Sequence, residues 1–322
     1  MKNQQRKERV ALLSVISNAL LVVVKLATGL LIGSVSIISE AIHSTVDLTA
    51  AFIALYSVKT SSIPADKRHP YGHGKIENIS GTIEALLIFL AAVWVIFEAV
   101  KKILHPEPIE GLGWGVGIMM FSAVMNIAVS ELLFKTGHET ESVALLADAW
   151  HHRADIYTSV GVMGSLAVIW GAHHVSPYLN LVWLDPLAAI GVAVLIIRAA
   201  YSLTKESARD LMDVTLPPEE EEWIRQKILE RTPTILGFHH LRTRKSGHFR
   251  FVEFHLKVDP QMTVWDSHRI TEELSEIIEK KFPGTNVTVH IEPCDGVCAD
   301  HCLEGCLLPE TERLEMRGRT PH

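Results

Sequence analysis

Cysteine is scarce in this chain. Four stand among 322 residues, at positions 294, 298, 302 and 306 only. A disulfide framework spreads its cysteines along the chain, so this clustering argues against one and for a reduced compartment. A surplus of basic charge is missing too. Lys and Arg number 30 against 37 Asp and Glu, and the net charge of −7 speaks against nucleic acid as a partner. No phosphate-binding glycine loop is present, so ATP is not the expected energy source. The basic start, MKNQQRKERV, precedes an apolar stretch too long for a signal-peptide core, so no cleavable signal is expected.

Apolar runs, by contrast, are abundant. Hydrophobic residues make up 48% of the chain. The mean hydropathy of +0.21 is high for a soluble enzyme and low for a pure membrane bundle. A membrane part joined to a polar part fits both values. A bilayer-spanning helix needs about 20 mostly apolar residues. Six stretches qualify, at 10–32, 35–58, 79–103, 112–134, 143–170 and 184–203. Gly33-Ser34, the segment 105–111 and the segment 176–180 separate successive spans. Lys2, Arg6, Lys7 and Arg9 precede the first span, and Lys59, Lys67, Arg68 and Lys75 fill the second connection. The positive-inside rule then places the N-terminus, the even connections and the C-terminal part in the cytoplasm.

Composition changes near residue 210. A helix over 217–231, strands over 240–244 and 250–258, a helix over 264–282 and a strand over 286–292 form an α-β-β-α-β order. The expected organisation is an all-α membrane domain of six helices over 1–209 and a small cytoplasmic α+β domain over 210–293. A tail over 294–322 carries the cysteines and is expected to lack structure.

The second span contains Glu40-Ala41-Ile42-His43 with Asp47; the fifth contains Asp148-Ala149-Trp150-His151 with Asp155. Each reads acid-Ala-apolar-His-x-x-x-Asp. The two spans run in opposite directions, which is the mark of an inverted repeat with a site near the midplane. Residues four apart share a helix face, so His43 projects with Asp47 and His151 with Asp155. Two imidazoles and two carboxylates can cage a tetrahedral ion, which suits zinc. The plainer alternative is a set of interhelical hydrogen bonds or ion pairs to Arg153. A charge left alone in mid-bilayer costs about 3 kcal/mol or more, and a divalent cation or a proton relieves that cost. A neutral imidazole binds metal and a protonated one does not, so metal and protons compete for one site. Transport of a divalent metal against protons follows as the expected function, and not an enzyme activity. A membrane-bound metal sensor with a structural site is the rival reading. An intramembrane hydrolase lacks support, because His-x-x-x-Asp carries no Glu general base of the His-Glu-x-x-His kind.

Two further groups stand outside the spans. Asp66, His69 and His73 lie in the second connection, where Gly72 and Gly74 let the backbone fold round an ion. In the C-terminal strands, alternation turns Val252, Phe254, Leu256 and Val258 inward. The same alternation leaves His255, His290 and Glu292 on one polar face. The tail spacing, Cys294-x-x-x-Cys298-x-x-x-Cys302-x-x-x-Cys306, suits a soft ion but is not a standard finger. Lys25, inside the first span, is costly unless paired, and the sequence assigns it no partner.

These motifs carry a resemblance. The chain resembles the cation diffusion facilitator family of zinc and divalent-metal transporters. The likeness rests on Gly33-Ser34-Val35-Ser36-Ile37, both His-x-x-x-Asp pairs, His69-Pro-Tyr-Gly-His73-Gly-Lys75-Ile-Glu77, and Leu241-Arg242-Thr243-Arg244 followed by Ser246-Gly247. It covers about residues 10–293. It implies a homodimeric exporter in the cell membrane, with a cytoplasmic domain of metallochaperone-like fold and both termini cytoplasmic. It implies a metal at Asp66, His69 and His73, and a hinge pair at Lys75 and Asp213. It adds His239 and His268 to His255, His290 and Glu292, as ligands of a binuclear zinc site that draws two cytoplasmic domains together. His240 and Glu292 both stand where the family commonly has Asp. The family also commonly has Asp at position 43; His there is associated with zinc, whereas manganese members show more Asp.

Overall fold

The computed structural model of the chain describes residues 2–32, 35–104, 112–175, 183–296 and 300–317. The turn Gly33-Ser34, most of the connections after the third and fifth spans, and Cys298 lie outside the described residues. The chain divides into two compact units, Met1–Arg209 and Asp210–His322, at the point where composition changes.

The first unit is built from six helices: α1 Lys2–Ile32, α2 Val35–Ser61, α3 Lys75–Leu104, α4 Leu112–Thr140, α5 Val143–Val175 and α6 Leu184–Leu211. Among the described residues, five of them (all but α5) carry a stretch long and apolar enough to cross a membrane. α5, with 33 residues, is the longest of the six. Several helices run past their apolar stretches at the end of the bundle where α6 leaves it. α1 begins at Lys2 and α4 ends at Thr140, because Lys, Arg, Gln and Glu continue a helix readily into water.

Small residues fill the inside of this unit. Ala11, Ala51, Ala144 and Ala149 meet in one fully buried cluster, and Ala85, Ala92, Ala147, Ala193 and Ala200 in another. Lipid supplies no hydrophobic drive between helices, so close backbone approach through small side chains takes its place. Gly81 shows how close that approach is. A Cβ there would lie 2.8 Å from both Val143 Cγ1 and Ser207 Oγ. Large apolar residues such as Phe52, Phe89 and Leu195 point outward, as they do toward lipid.

At the cytoplasmic end a buried polar knot joins four elements. Lys7 Nζ lies 2.9 Å from Glu77 Oε1, and both side chains are almost wholly buried. Ser61 Oγ donates to the same oxygen at 2.8 Å, and Ser142 Oγ donates to Oε2 at 2.6 Å. The start of α1, the end of α2, the start of α3 and the turn before α5 are thereby tied together.

The second unit is an α+β fold: α7 Pro218–Leu229, β1 Gly237–Ser246, β2 Phe249–Val258, α8 Val264–Lys281 and β3 Thr285–Pro293. β1 and β2 form an antiparallel hairpin, β2 and β3 pair in parallel, and the sheet order is β1-β2-β3. The parallel pair needs a crossover, which α8 provides. Thr263 caps α8 by accepting from Asp266 N at 3.1 Å. Val252, Phe254, Leu256 and Val258 are buried, as the alternation of β2 requires, and the first three meet Ile224, Ile228, Ile270, Leu274 and Ile278 in one core.

The tail departs from expectation. It contains α9 Asp300–Glu304 and α10 Glu310–Arg317. Phe238 N donates to Gly305 O at 3.0 Å and Leu307 N donates to Leu236 O at 3.0 Å. Leu307 also packs on the core. The exposed edge of β1 offers unpaired backbone groups, and this segment satisfies them.

Candidate functional site

α2 and α5 each present a His and an Asp one turn apart, and the bundle turns both faces to one place. Ligand atoms of His43, Asp47 and Asp155 all lie within 4.8 Å of one another. His151 Nε2 lies 3.0 Å from Asp47 Oδ1, and both residues are buried. The carboxylate accepts, so Nε2 carries the donated proton. His151 Nδ1 is buried without a hydrogen-bond partner.

All four residues line a single cavity of about 420 Å³. The cavity continues past Glu98, Lys102, Met119 and Asp185. These stand at the end of α3 and the starts of α4 and α6, opposite the end of α6 that leads into the second unit. The cavity therefore extends toward the outer face, where Lys102 Nζ and Asp185 Oδ2 pair at 3.6 Å. The buried knot around Glu77 stands at the other end.

The neighbours of the site have separate duties. Arg153 is ion-paired with Glu131 and lies over the Phe134 ring, 5.0 Å from its centroid. It faces α4 and not the carboxylates, which removes the ion-pair alternative. His152 Nε2 lies 3.0 Å from Ser14 Oγ and Nδ1 lies 3.0 Å from Asn126 Oδ1. That imidazole is used in holding α1, α4 and α5 together. Lys25 finds the partners that sequence did not supply: Nζ donates to Ser44 Oγ at 2.8 Å and to Glu40 Oε2 at 3.2 Å.

In the second connection, ligand atoms of Asp66, His69 and His73 also lie within 4.8 Å of one another. Asp66 Oδ1 accepts from the backbone N–H of Arg68 and of His69, each at 2.7 Å. The His69 N–H first, and then that of Arg68, hold the Asp66 carboxyl below its ordinary range. His73 Nδ1 lies 3.2 Å from Ile63 O, which can only accept, so Nδ1 is the donor of that bond. Nε2 faces Asp66 Oδ2 at 3.6 Å. Gly72, at φ +81, makes the tight turn between the two histidines.

In the second unit, His239, His255 and Glu292 form a third such group. His255 Nδ1 lies 2.8 Å from Glu292 Oε1, and His239 Nε2 lies 3.4 Å from Oε2. His290 is adjacent, with Nε2 3.6 Å from Glu292 Oε1. His268 is not brought in. It is exposed on α8 and pairs with Glu272 at 3.3 Å. Partial burial alone would raise the Glu292 carboxyl, but hydrogen bonds from Lys257 and His255 pull it down to about 2. Lys257 Nζ lies 2.8 Å from Glu292 Oε2, and the carboxylate outweighs desolvation to raise the lysine.

One residue of this group escapes a reading of alternation. A bulge between His239 and Arg242, with His240 at φ +54, brings His240 beside its neighbour. The His240 ring lies 4.7 Å from that of His239 and 5.1 Å from that of His255. The adjacent His-His pair was the available signal. Lys257 was legible only as a same-face neighbour of His255. Lys75 opens α3, and Asp213, at φ +55, has Arg244 Nη1 3.4 Å from its Oδ1.

Residues 11–212 match the model of the cation efflux transmembrane domain, and residues 216–294 match that of the cation efflux protein cytoplasmic domain. An uncharacterized transporter of Synechocystis is 34% identical over 271 residues, covering 84% of this chain and 85% of its own. The cation-efflux pump FieF of Citrobacter koseri is 29% identical, covering 90% of this chain and 93% of its own. Among solved structures, the metal-bound C-terminal domain of the CzcD transporter from Thermotoga maritima is 30% identical, covering 24% of this chain and 94% of that one, with a TM-score of 0.22.

Proposed function

The chain belongs to the cation efflux family, and on that premise we propose that it exports zinc from the cytoplasm in exchange for protons. It is an integral membrane cation-efflux transporter with a cytoplasmic C-terminal domain, and not an enzyme.

One observation carries the metal reading. His43, Asp47 and Asp155 hold their ligand atoms within 4.8 Å of one another, and His151 reaches Asp47 at 3.0 Å, inside a cavity between two antiparallel helices. Two nitrogens and two carboxylates meet the tetrahedral preference of zinc, and cadmium, iron or cobalt are the competing ions. The hydrogen bond supports exchange. An imidazole nitrogen that donates a proton to Asp47 cannot at the same time give its lone pair to a metal. Entry of the ion from the cytoplasm displaces that proton, and return of a proton from the outer cavity favours release.

The remaining sites regulate in this reading. Asp66, His69 and His73 hold a metal near the cytoplasmic entrance. His239, His255 and Glu292, with His290 alongside, hold zinc and promote closure of two cytoplasmic domains in a homodimer. Lys75 and Asp213 form the hinge between membrane and cytoplasmic parts, and the protein resides in the cell membrane. The test is metal flux into proteoliposomes with zinc, cadmium, iron and manganese, with internal pH recorded. Zinc flux that leaves the internal pH unchanged would remove the exchange, and equal fluxes in wild type and Asp47→Ala would remove the site.

A further inference from the structure

Lys25 is the only charged residue in the apolar part of α1, and it is buried. It lines the same cavity as His43, Asp47, His151 and Asp155. Its ammonium group has two anchors on α2, four residues apart and so on one face: Ser44 Oγ at 2.8 Å and Glu40 Oε2 at 3.2 Å. Ser44 is buried beside His43, whereas the Glu40 side chain is about half exposed, one turn nearer the outer face. Asp47 and Asp155, the two carboxylates of the site, line that cavity with Lys25. Lysine is a compact charge on a flexible stem, so it can shift between two anchors.

We infer that Lys25 is a tethered counter-ion that sets how tightly the intramembrane site holds its divalent cation. The inference rests on the reading of that site as the place where metal is carried. In the empty site the ammonium leans on Ser44 and offsets the two carboxylates, whose charge would otherwise stand unbalanced in the membrane interior. A bound divalent ion repels it toward Glu40. Throughout, it lowers the affinity of the site and so speeds release into the outer cavity. A monovalent ion gains too little from the carboxylates to displace it, which disfavours sodium or potassium.

The test is the concentration dependence of zinc flux in proteoliposomes of the full-length protein. Lys25→Met lowers KM by about tenfold, the scale of a unit charge acting on a divalent ion across a partly wetted cavity, and lowers the maximal rate because release slows. Lys25→Arg restores both constants toward wild type. Glu40→Gln acts in the opposite direction: it releases the ammonium from its outer anchor, and KM rises. A folded Lys25→Met protein with wild-type KM overturns the inference. So does a fall in maximal rate alone that Lys25→Arg shares, because that pattern is packing and not charge. If Lys25→Met fails to fold, Glu40→Gln decides, and an unchanged KM there is fatal. Asp47→Ala, run beside these, separates the two claims: full flux in that variant removes the site itself, whatever Lys25 does.

Discussion

His151 Nε2 and Asp47 Oδ1, 3.0 Å apart, join the two helices that carry the repeated motif. The pair is 104 residues apart in sequence, so the contact exists only when α2 and α5 are docked. One hydrogen bond thus reports both the packing of the bundle and the state of the site. A metal that used this nitrogen would first have to break the hydrogen bond.

Asp47→Ala and Asp155→Ala each lower zinc flux by about 100-fold or more, since even partners that only orient a ligand are worth about 10–100-fold in metal affinity. Arg153→Ala is the informative contrast. Its guanidinium is spent on Glu131 and Phe134, so flux stays within about twofold and stability falls by about 1 kcal/mol or less. Stopped-flow flux with a trapped zinc indicator separates the three variants. A large flux loss in Arg153→Ala alone would move the site toward α4.

Glu77→Gln tests the cytoplasmic knot. Glu77 accepts from Ser61 and Ser142 and pairs with Lys7, all with little exposure. Removing one partner of a buried ion pair leaves the other charge uncompensated, at about 3–5 kcal/mol. The expected outcome is a lower thermal midpoint in detergent. Ser142→Ala, which removes a single hydrogen bond, costs about 1 kcal/mol and falls between this variant and wild type.

Much of this was legible in sequence because periodicity is local. The alternation of β2 placed Val252, Phe254, Leu256 and Val258 inside and His255 outside, and the repeated His-x-x-x-Asp placed each pair on one helix face. What was not legible depends on contacts across the turn or on broken periodicity. Lys25 meets residues 15 and 19 positions away, on a helix whose packing angle the sequence does not encode locally. His240 joins the cytoplasmic cluster only because a bulge cancels alternation there. His268 shares the helical pattern of α8 but faces solvent beside Glu272. The tail gains order from the β1 edge, through hydrogen bonds that composition cannot reveal.

The pH dependence of the second unit has a definite sign. Glu292 is held down to about 2, below its ordinary 4.5, so its ionised form stabilises the folded domain. That contribution is fully present above about 4.5 and is lost as pH falls toward 2. The measurement is the difference in thermal midpoint between wild type and Glu292→Gln in the metal-free fragment 210–322, which has its own core. The difference favours wild type at pH 6 and vanishes near pH 2. A difference that does not change with pH would mean that Glu292 contributes through shape and not through charge.

Lys257 is the last test, and it follows from the same carboxylate. Its Nζ lies 2.8 Å from Glu292 Oε2, the oxygen that also faces His239 Nε2 at 3.4 Å. A metal between His239, His255 and Glu292 must displace that ammonium or tolerate it close by, and a cation beside a cation lowers affinity. Lys257→Met therefore tightens zinc binding at the cytoplasmic group by about tenfold, while Glu292→Gln weakens it by a similar factor. Titration calorimetry on the fragment 210–322 reads both directions in one experiment. Opposite shifts place Glu292 in the coordination shell with Lys257 as its competitor. A Lys257→Met that weakens binding would make the lysine a support of the carboxylate's position, and the metal would then sit nearer His290 and His255.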